Sequence, residues 1–199
     1  MHVDDSLRLN TIEIFSSPFS YFISREAFNP KVAETILDWL ETAAPWRLVV
    51  ADFYEQYEFS FWNVELPSQL AFLIQEHSLD EVRNKVGSAF STNLSKKVNI
   101  AAHKLIPGQR IRLHNDFIPG QETHRLLIQL NRRWTDDHGG LLMLFNSAEP
   151  SDLHKVFRPL NNTALGFAVS PQSYHAVSAI RAEQRFTLVY SFFCENTDV

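Results

Sequence analysis

The chain has 199 residues, of which 45% are hydrophobic and 21% are charged, and its formal net charge at pH 7 is −5. This length suffices for one domain with a substantial core, and the acidic balance argues against nucleic acid or an anionic membrane as the main partner. The single cysteine, Cys194, cannot form an internal disulfide, and the amino-terminal ten residues contain no apolar segment. We therefore expect a cytoplasmic protein.

The first half of the sequence opens with a strand pattern and then a helix pattern. Residues 11–15 form a short apolar run that is typical of a strand. In residues 29–43, Asn29 and Pro30 occupy the cap and first-turn positions, and apolar residues recur at helical spacing. This pattern predicts an amphipathic helix.

Two further segments precede residue 96. Aromatic residues alternate within residues 46–62, which favours strands or an aromatic hairpin over a helix. Residues 67–91 return to a helical pattern, and we predict two helices there, the second of them capped by Ser78.

From residue 96 onward, eight short β-rich runs follow one another, separated by Pro, Gly, Asn and Asp. This spacing predicts a double-stranded β-helix, the cupin-like jelly roll, with the amino-terminal helices packed on one of its sheets. The fold class is α+β and rich in strands. We expect one domain over residues 1–199, in which residues 1–95 give support and a lid and residues 96–193 form the core that carries a metal site.

A histidine and an aspartate stand one residue apart in the second of these runs. His114 and Asp116 would share one face of a strand, and with a second histidine they make the 2-His-1-carboxylate set that binds non-haem iron. His175 begins a later apolar strand, which is the place such a ligand needs. A turn histidine beside a solvated aspartate is the structural alternative, and spacing does not exclude the histidines at positions 103, 124 and 154.

The last strand begins with an arginine and carries a hydroxyl two residues later. Arg185 and Thr187 would lie on one face, where a planar guanidinium and a hydroxyl can together hold one carboxylate. An arginine inside an aromatic strand needs an anion. Arg181 competes for this role, but its surroundings read as a turn, so we favour Arg185.

These features occur in a characteristic order. His114-x-Asp116 is followed by "HRLLIQLNRRW", "GGLLMLF", "YHAV" and "RFTLVYSF". Over residues 96–193 the chain resembles the Fe(II)/2-oxoglutarate-dependent oxygenases, and among them the prolyl 4-hydroxylase-like group. The resemblance implies that His114, Asp116 and His175 hold the iron.

The resemblance also implies a cofactor site. Arg185, assisted by Thr187, would bind the C5 carboxylate of 2-oxoglutarate. Relatives often carry a tyrosine at the position of Gln129, which keeps hydrogen-bonding capacity here through its amide. Leu127 would line the methylene chain of the cofactor, and Arg125 would lie nearer the mouth of the pocket.

The implied reaction uses Fe(II), 2-oxoglutarate and O2. It couples decarboxylation of 2-oxoglutarate to succinate and CO2 with oxidation of a substrate C–H bond. The iron ligands must be neutral imidazoles, so we expect iron affinity to fall at acid pH.

The substrate is less well indicated. Our first choice is a peptide or protein residue, including the precursor of a ribosomally made peptide natural product, and the alternative is a free amino acid or small metabolite held by Arg125 and Arg112. A non-catalytic metal-binding jelly roll is the alternative of another class. We name Arg125, Phe117 and Tyr174 as candidate substrate contacts. The aromatic segment from Phe53 to Trp62 could form a lid or pack the helices on the sheet.

Overall fold

The structure is a computed structural model that describes residues 7–195. Residues 1–6 and 196–199 lie outside it, and with them most of the amino-terminal segment discussed above. The two α-helices are α1 (Pro30–Thr42) and α2 (Glu76–Phe90). The strands are β1 (Leu7–Asn10), β2 (Glu13–Phe15), β3 (Tyr21–Ser24), β4 (Glu26–Phe28), β5 (Arg47–Val50), β6 (Glu55–Ser60), β7 (Leu94–Leu105), β8 (Ile111–His114), β9 (His124–Gln129), β10 (Leu142–Phe145), β11 (Leu153–Phe157), β12 (Thr163–Ala168), β13 (His175–Val177) and β14 (Arg185–Cys194).

Antiparallel pairs of strands build two facing sheets. The larger sheet has eight strands in the order β2-β3-β12-β9-β14-β7-β6-β5, and the smaller has four in the order β11-β10-β13-β8. A separate pair joins β1 to β4. All eight strands predicted after residue 96 are present, and strands from both halves of the chain lie in the larger sheet.

Alternating side chains of the larger sheet enter two apolar clusters. On one face, Leu188 and Phe192 of β14 pack with the α1 residues Ile36 and Leu37. On the other face, Val189 of β14 lies in a second cluster with residues of β9 and with residues of β10 and β13 in the smaller sheet. The strand period of two therefore sends one half of β14 toward the helices and the other half between the sheets.

Helix α1 begins as its sequence predicts. The Asn29 side chain accepts a hydrogen bond from the Lys31 backbone N–H at 3.0 Å, and Pro30 occupies the first helical position. The apolar residues of the helix form one buried stripe. Because a helix that buries one face repeats its apolar residues at helical spacing, the sequence pattern predicts α1.

The cap predicted at Ser78 is wrong. Residues 68–74 form a 3₁₀ helix, and α2 starts at Glu76 with Gln75 as its cap, so Ser78 lies inside the first turn. Gln75 makes no side-chain cap hydrogen bond, and therefore no capping signal marks the start of this helix in the sequence.

Three strands of the first half have no counterpart in the prediction, namely β1, β3 and β4. Strand β3 is buried on both faces, so its sequence shows no alternation of apolar and polar residues. Across residues 7–195, neither helix combines the length and the apolar character that crossing a membrane would require.

Asn131 fixes the end of β9 against the start of β14. It is 1% exposed; its Nδ2 donates to the carbonyls of Pro159 (2.9 Å) and Phe186 (3.1 Å), and its Oδ1 accepts from the Phe186 N–H at 2.7 Å. Phe186 follows Arg185 directly, so Asn131 also positions the backbone beside that arginine.

Asn131→Ala should lower the free energy of unfolding by about 3 kcal/mol, because it leaves buried backbone groups without partners. Urea denaturation followed by tryptophan fluorescence measures the change. The exposed Asn63 provides a matched control, whose Asn63→Ala variant should stay within about 0.5 kcal/mol of the wild type. Equal losses in the two variants would contradict this role for Asn131.

Candidate active site

Two histidines meet across the smaller sheet. Strands β8 and β13 pair in a register that sets His114 opposite His175, with ring centroids 4.2 Å apart. The Nδ1 of His114 lies 2.8 Å from the carbonyl of Arg112, and the Nδ1 of His175 lies 2.7 Å from the carbonyl of Ser173. A carbonyl can only accept, so each Nδ1 carries a proton and donates it, which leaves both Nε2 atoms available as ligands.

Asp116 reaches the histidines from a turn and not from the strand. Strand β8 ends at His114, and Asp116 has φ 58°, in the left-handed region that aspartate tolerates better than most residues. This turn corrects the expectation that His114 and Asp116 share a strand face. The neighbouring Asn115 secures it, since Nδ2 of Asn115 donates to the Pro171 carbonyl at 3.1 Å and Ser173 Oγ donates to the Asn115 carbonyl at 2.9 Å.

The three side chains form one compact set of donor atoms. Ligand atoms of His114, Asp116 and His175 all lie within 4.8 Å of one another. The Asp116 oxygens are 3.3 Å from Nε2 of His114 and 3.2 Å from Nε2 of His175. When both rings are neutral, the Nε2 lone pairs of the two histidines face the lone pairs of the Asp116 oxygens. A proton or a cation must therefore lie between them. Two imidazoles and one carboxylate fit Fe(II), and they leave the other coordination positions open.

The charges of the set suit a cation. Burial alone would raise the pKa of Asp116, but the contacts of His114 and His175 and the charge of Arg125 hold that pKa well below its ordinary range. Burial also lowers the pKa of His175, which favours the neutral ring that a metal requires.

Arg125 lies beside this centre and not free at the mouth of the pocket, as the sequence had suggested. Its Nη1 donates to Asp116 Oδ2 and its Nη2 donates to Glu122 Oε1. The turn at Asp116 brings the carboxylate within reach of β9, which explains the difference. Arg125 therefore orients the Asp116 carboxylate and is not available as a separate substrate-binding cation.

Arg185 is the second notable cation. It is 3% exposed, its Nη1 donates to Thr187 Oγ1 at 2.9 Å, and its Nε has no hydrogen-bond partner. Among residues 7–195 no carboxylate lies within 4 Å of it, and burial lowers its pKa to about 10. A buried guanidinium without an acid is costly, so this arrangement calls for an anionic ligand.

Gln129 supports this group indirectly. Thr187 Oγ1 donates to Gln129 Oε1 at 3.0 Å, and the Gln129 side chain does not line the cavity described below. Gln129 therefore contacts Thr187 and not the cavity itself. Leu127, on the same strand, does line the cavity.

Gly140 leaves room for the stem of Arg185. Its φ is +63°, and a Cβ at this position would lie 3.0 Å from Cδ of Arg185 and 2.5 Å from Cδ1 of Ile180. The second glycine of "GGLLMLF" is thus a packing requirement of the buried arginine.

One cavity of about 280 Å³ joins the two groups. It is slightly smaller than the pockets that hold drug-sized ligands, about 300–1,000 Å³, and suits a small cofactor. The metal set stands at one part of its wall, and Arg185 with Thr187 at another. Strand β6 supplies further lining residues that the sequence analysis missed, Gln56 and Glu58, with Tyr54 just before it.

The aromatic segment contributes residues both to the apolar cluster that contains the helices and to the surroundings of the cavity. Phe59 and Phe61 are buried in the cluster that contacts the helices. Phe53 stacks on the His114 ring at 4.4 Å, and Tyr54 lines the cavity. Burial raises the pKa of Tyr54, and the negative charges of Glu58 and Asp116 raise it further.

Two predicted substrate contacts do not reach the cavity. Phe117 is 39% exposed because the turn at Asp116 directs the chain outward. Tyr174 immediately precedes His175, and neighbouring residues of an extended segment point to opposite sides. Neither lines the cavity.

Sequence comparison finds a match to a protein family in the carboxy-terminal half of the chain. Residues 100–193 match the sequence model of the 2OG-Fe(II) oxygenase superfamily. The match spans the metal set and the last strand. No curated protein sequence matches the chain significantly.

Structural comparison finds similar folds among prolyl hydroxylases. A prolyl-4-hydroxylase from Pseudomonas putida has a TM-score of 0.72 at 12% identity, over 88% of this chain and 93% of that chain. A prolyl hydroxylase from Trichoplax adhaerens, in complex with a hypoxia inducible factor peptide fragment, has a TM-score of 0.66 at 15% identity, over 87% and 83%. Prolyl 4-hydroxylases from Phytophthora capsici give 0.67 at 17% identity, over 90% and 60%. These likenesses concern the fold, which is the double-stranded β-helix.

His175→Ala should lower Fe(II) affinity at least about a hundredfold, since losing a ligand costs more than losing one of its outer partners. Anaerobic equilibrium dialysis with metal analysis measures the affinity. The exposed His154 offers a matched control, and its alanine variant should bind iron as the wild type does. Undiminished binding by the His175 variant would contradict the assignment.

Proposed function

We propose that this chain, a 2OG-Fe(II) oxygenase by the match of residues 100–193, hydroxylates a C–H bond of a peptide or protein residue. The observation that carries the proposal is Arg185, a buried guanidinium without an acidic partner among the described residues, in the same cavity as the metal set. An iron-binding set alone would also suit a non-catalytic jelly roll. The second, anion-seeking group in that cavity favours a dicarboxylate cofactor and therefore catalysis.

The residues of the site divide into metal ligands and residues that bind the cofactor. His114, Asp116 and His175 would hold the metal, and backbone carbonyls fix both imidazole rings through Nδ1. Arg185 and Thr187 would hold the C5 carboxylate of 2-oxoglutarate. When bound, Fe(II) and 2-oxoglutarate supply the activation of O2, with succinate and CO2 as products beside the hydroxylated substrate. The protein would hold these groups in fixed positions within one cavity.

A peptide substrate fits the surface beside the metal set. Phe117 and Ile118 are 39% and 61% exposed on the loop that follows Asp116, where an apolar chain could rest. The neighbour from Trichoplax adhaerens carries a peptide fragment, which supports the same substrate class here. The precursor of a ribosomally made peptide natural product belongs to this class.

The alternative substrate, a free amino acid, loses the cations suggested for it. Arg125 is bound to Asp116 and Glu122. Arg112 is exposed, and its Nη1 donates to the Asp52 carbonyl at 3.5 Å. Neither is free inside the cavity to bind an amino-acid carboxylate.

Fe(II) and 2-oxoglutarate added together without oxygen should give a weak visible charge-transfer band. Arg185→Ala should abolish the band at moderate cofactor concentration, because the C5 carboxylate loses its charge partner. Arg181→Ala, which changes an exposed arginine outside the cavity, should leave the band intact. A wild-type protein that binds iron and shows no band would overturn the oxygenase proposal.

Peptides should stimulate succinate formation by the iron-loaded enzyme. We expect stimulation by members of a short-peptide library and none by a pool of free amino acids, with His175→Ala as the blank. Stimulation by free amino acids alone would replace the peptide assignment with the alternative one. Mass spectrometry of the products then identifies the oxidised residue.

A further inference from the structure

A row of four polar side chains crosses the cavity side of the larger sheet. Strands β9, β14, β7 and β6 are neighbours in that order, and their register sets Gln129, Thr187, His103 and Glu58 opposite one another. Neighbouring strands lie about 4.8 Å apart, so Glu58 stands about 10 Å from Thr187. The row therefore has a cationic end, where Thr187 meets Arg185, and an acidic end at Glu58.

Glu58 has no cationic partner at neutral pH within residues 7–195. Its Oε2 accepts a hydrogen bond from Nε2 of Gln56 at 2.8 Å, and His103 Nε2 lies 3.9 Å away. Burial, followed by the charges of Arg125 and Arg185, lowers the pKa of His103 to about 3, so that ring is neutral.

The other nearby cations are engaged or distant. Arg125 is held by Asp116 and Glu122. Arg47 stands opposite Glu58 in the register of β5 and β6, and the two side chains do not come within ion-pair distance of 4 Å. The Glu58 side chain therefore faces the cavity without an ion-pair partner among these residues, and 29% of it is exposed.

Gln56 adds a second acceptor. It lies on the same face of β6 as Glu58, lines the cavity and is 1% exposed. Its amide nitrogen is used by Glu58, and its Oε1 accepts no hydrogen bond from any residue that the structure describes. A buried carbonyl oxygen without a donor is destabilising, and a ligand with N–H groups would supply the missing hydrogen bond.

We propose that Glu58 and Gln56 form a substrate subsite that binds a cationic nitrogen, an ammonium or a guanidinium. This inference rests on the proposed function and names the chemistry of its substrate. The carboxylate supplies the charge and one acceptor, and Gln56 Oε1 supplies a second acceptor for another N–H of the same group. The opposite charge at Arg185 separates the two ligands, because the anionic cofactor is attracted to one end of the row and the cationic substrate group to the other.

Two sources can present such a nitrogen in this cavity. One is a lysine or arginine side chain within a peptide, and the other is the α-ammonium of a free amino acid. Both make the same contacts with Glu58, so the experiment includes an arm for each.

The test is affinity selection by the anaerobic enzyme loaded with Fe(II) and 2-oxoglutarate. The probes are two matched peptide pools, one with lysine and arginine and the other with norleucine and citrulline, and free amino acids beside their N-acetyl derivatives. Mass spectrometry counts the retained members. The proteins are the wild type, Glu58→Gln, Glu58→Ala and a control, Glu55→Gln, which changes an acid on the same strand outside the cavity.

We expect the wild type and the Glu55 variant to retain cationic members at least tenfold over their neutral counterparts, and both Glu58 variants to lose that preference. Enrichment confined to the peptides identifies a basic side chain, and enrichment of free amino acids that N-acetylation abolishes identifies the α-ammonium. Absence of cationic enrichment in the wild type, or its persistence in Glu58→Gln, overturns the subsite. The charge-transfer band, measured on the same samples, reports separately on the oxygenase site.

Discussion

A positive charge buried without a counterion is the constraint on which the rest of this structure depends. The Arg185 guanidinium lies between two sheets, with Thr187 as its hydrogen-bond acceptor and no carboxylate in range among residues 7–195. Gly140 makes room for its stem, and Asn131 fixes the backbone next to it. Burying an unpaired guanidinium is unfavourable, and the ion pair formed with a bound anion would offset that cost. That anion must enter the cavity which the metal set also faces.

Much of this site could be predicted from the sequence because its parts follow regular periods. The eight strands after residue 96 alternate and are bounded by turn residues, and Arg185 and Thr187 share a face by the strand period of two. His114, Asp116 and His175 were predicted as a set, and the structure brings their ligand atoms within 4.8 Å. The order of the motifs agrees with the family match over residues 100–193.

The features that the sequence does not predict depend on the local backbone conformation and on contacts between strands that are distant in the chain. The left-handed turn at Asp116 moves its carboxylate toward Arg125 and turns Phe117 outward, and no local pattern marks that turn. Gln56 and Glu58 are missing from the residues predicted for the site, although they alternate on β6 with the half-buried Tyr57 and the buried Phe59. That alternation was the available signal, since polar residues at every second position of a central strand need a polar cavity to face.

The most direct test of this account is a crystal structure of the anaerobic complex with Fe(II) and 2-oxoglutarate, with the iron located by anomalous scattering. The account predicts one iron bonded to Nε2 of His114, a carboxylate oxygen of Asp116 and Nε2 of His175. It also predicts the C5 carboxylate of 2-oxoglutarate against the Arg185 guanidinium. Iron at another position, or a cofactor whose carboxylates avoid Arg185, would contradict it.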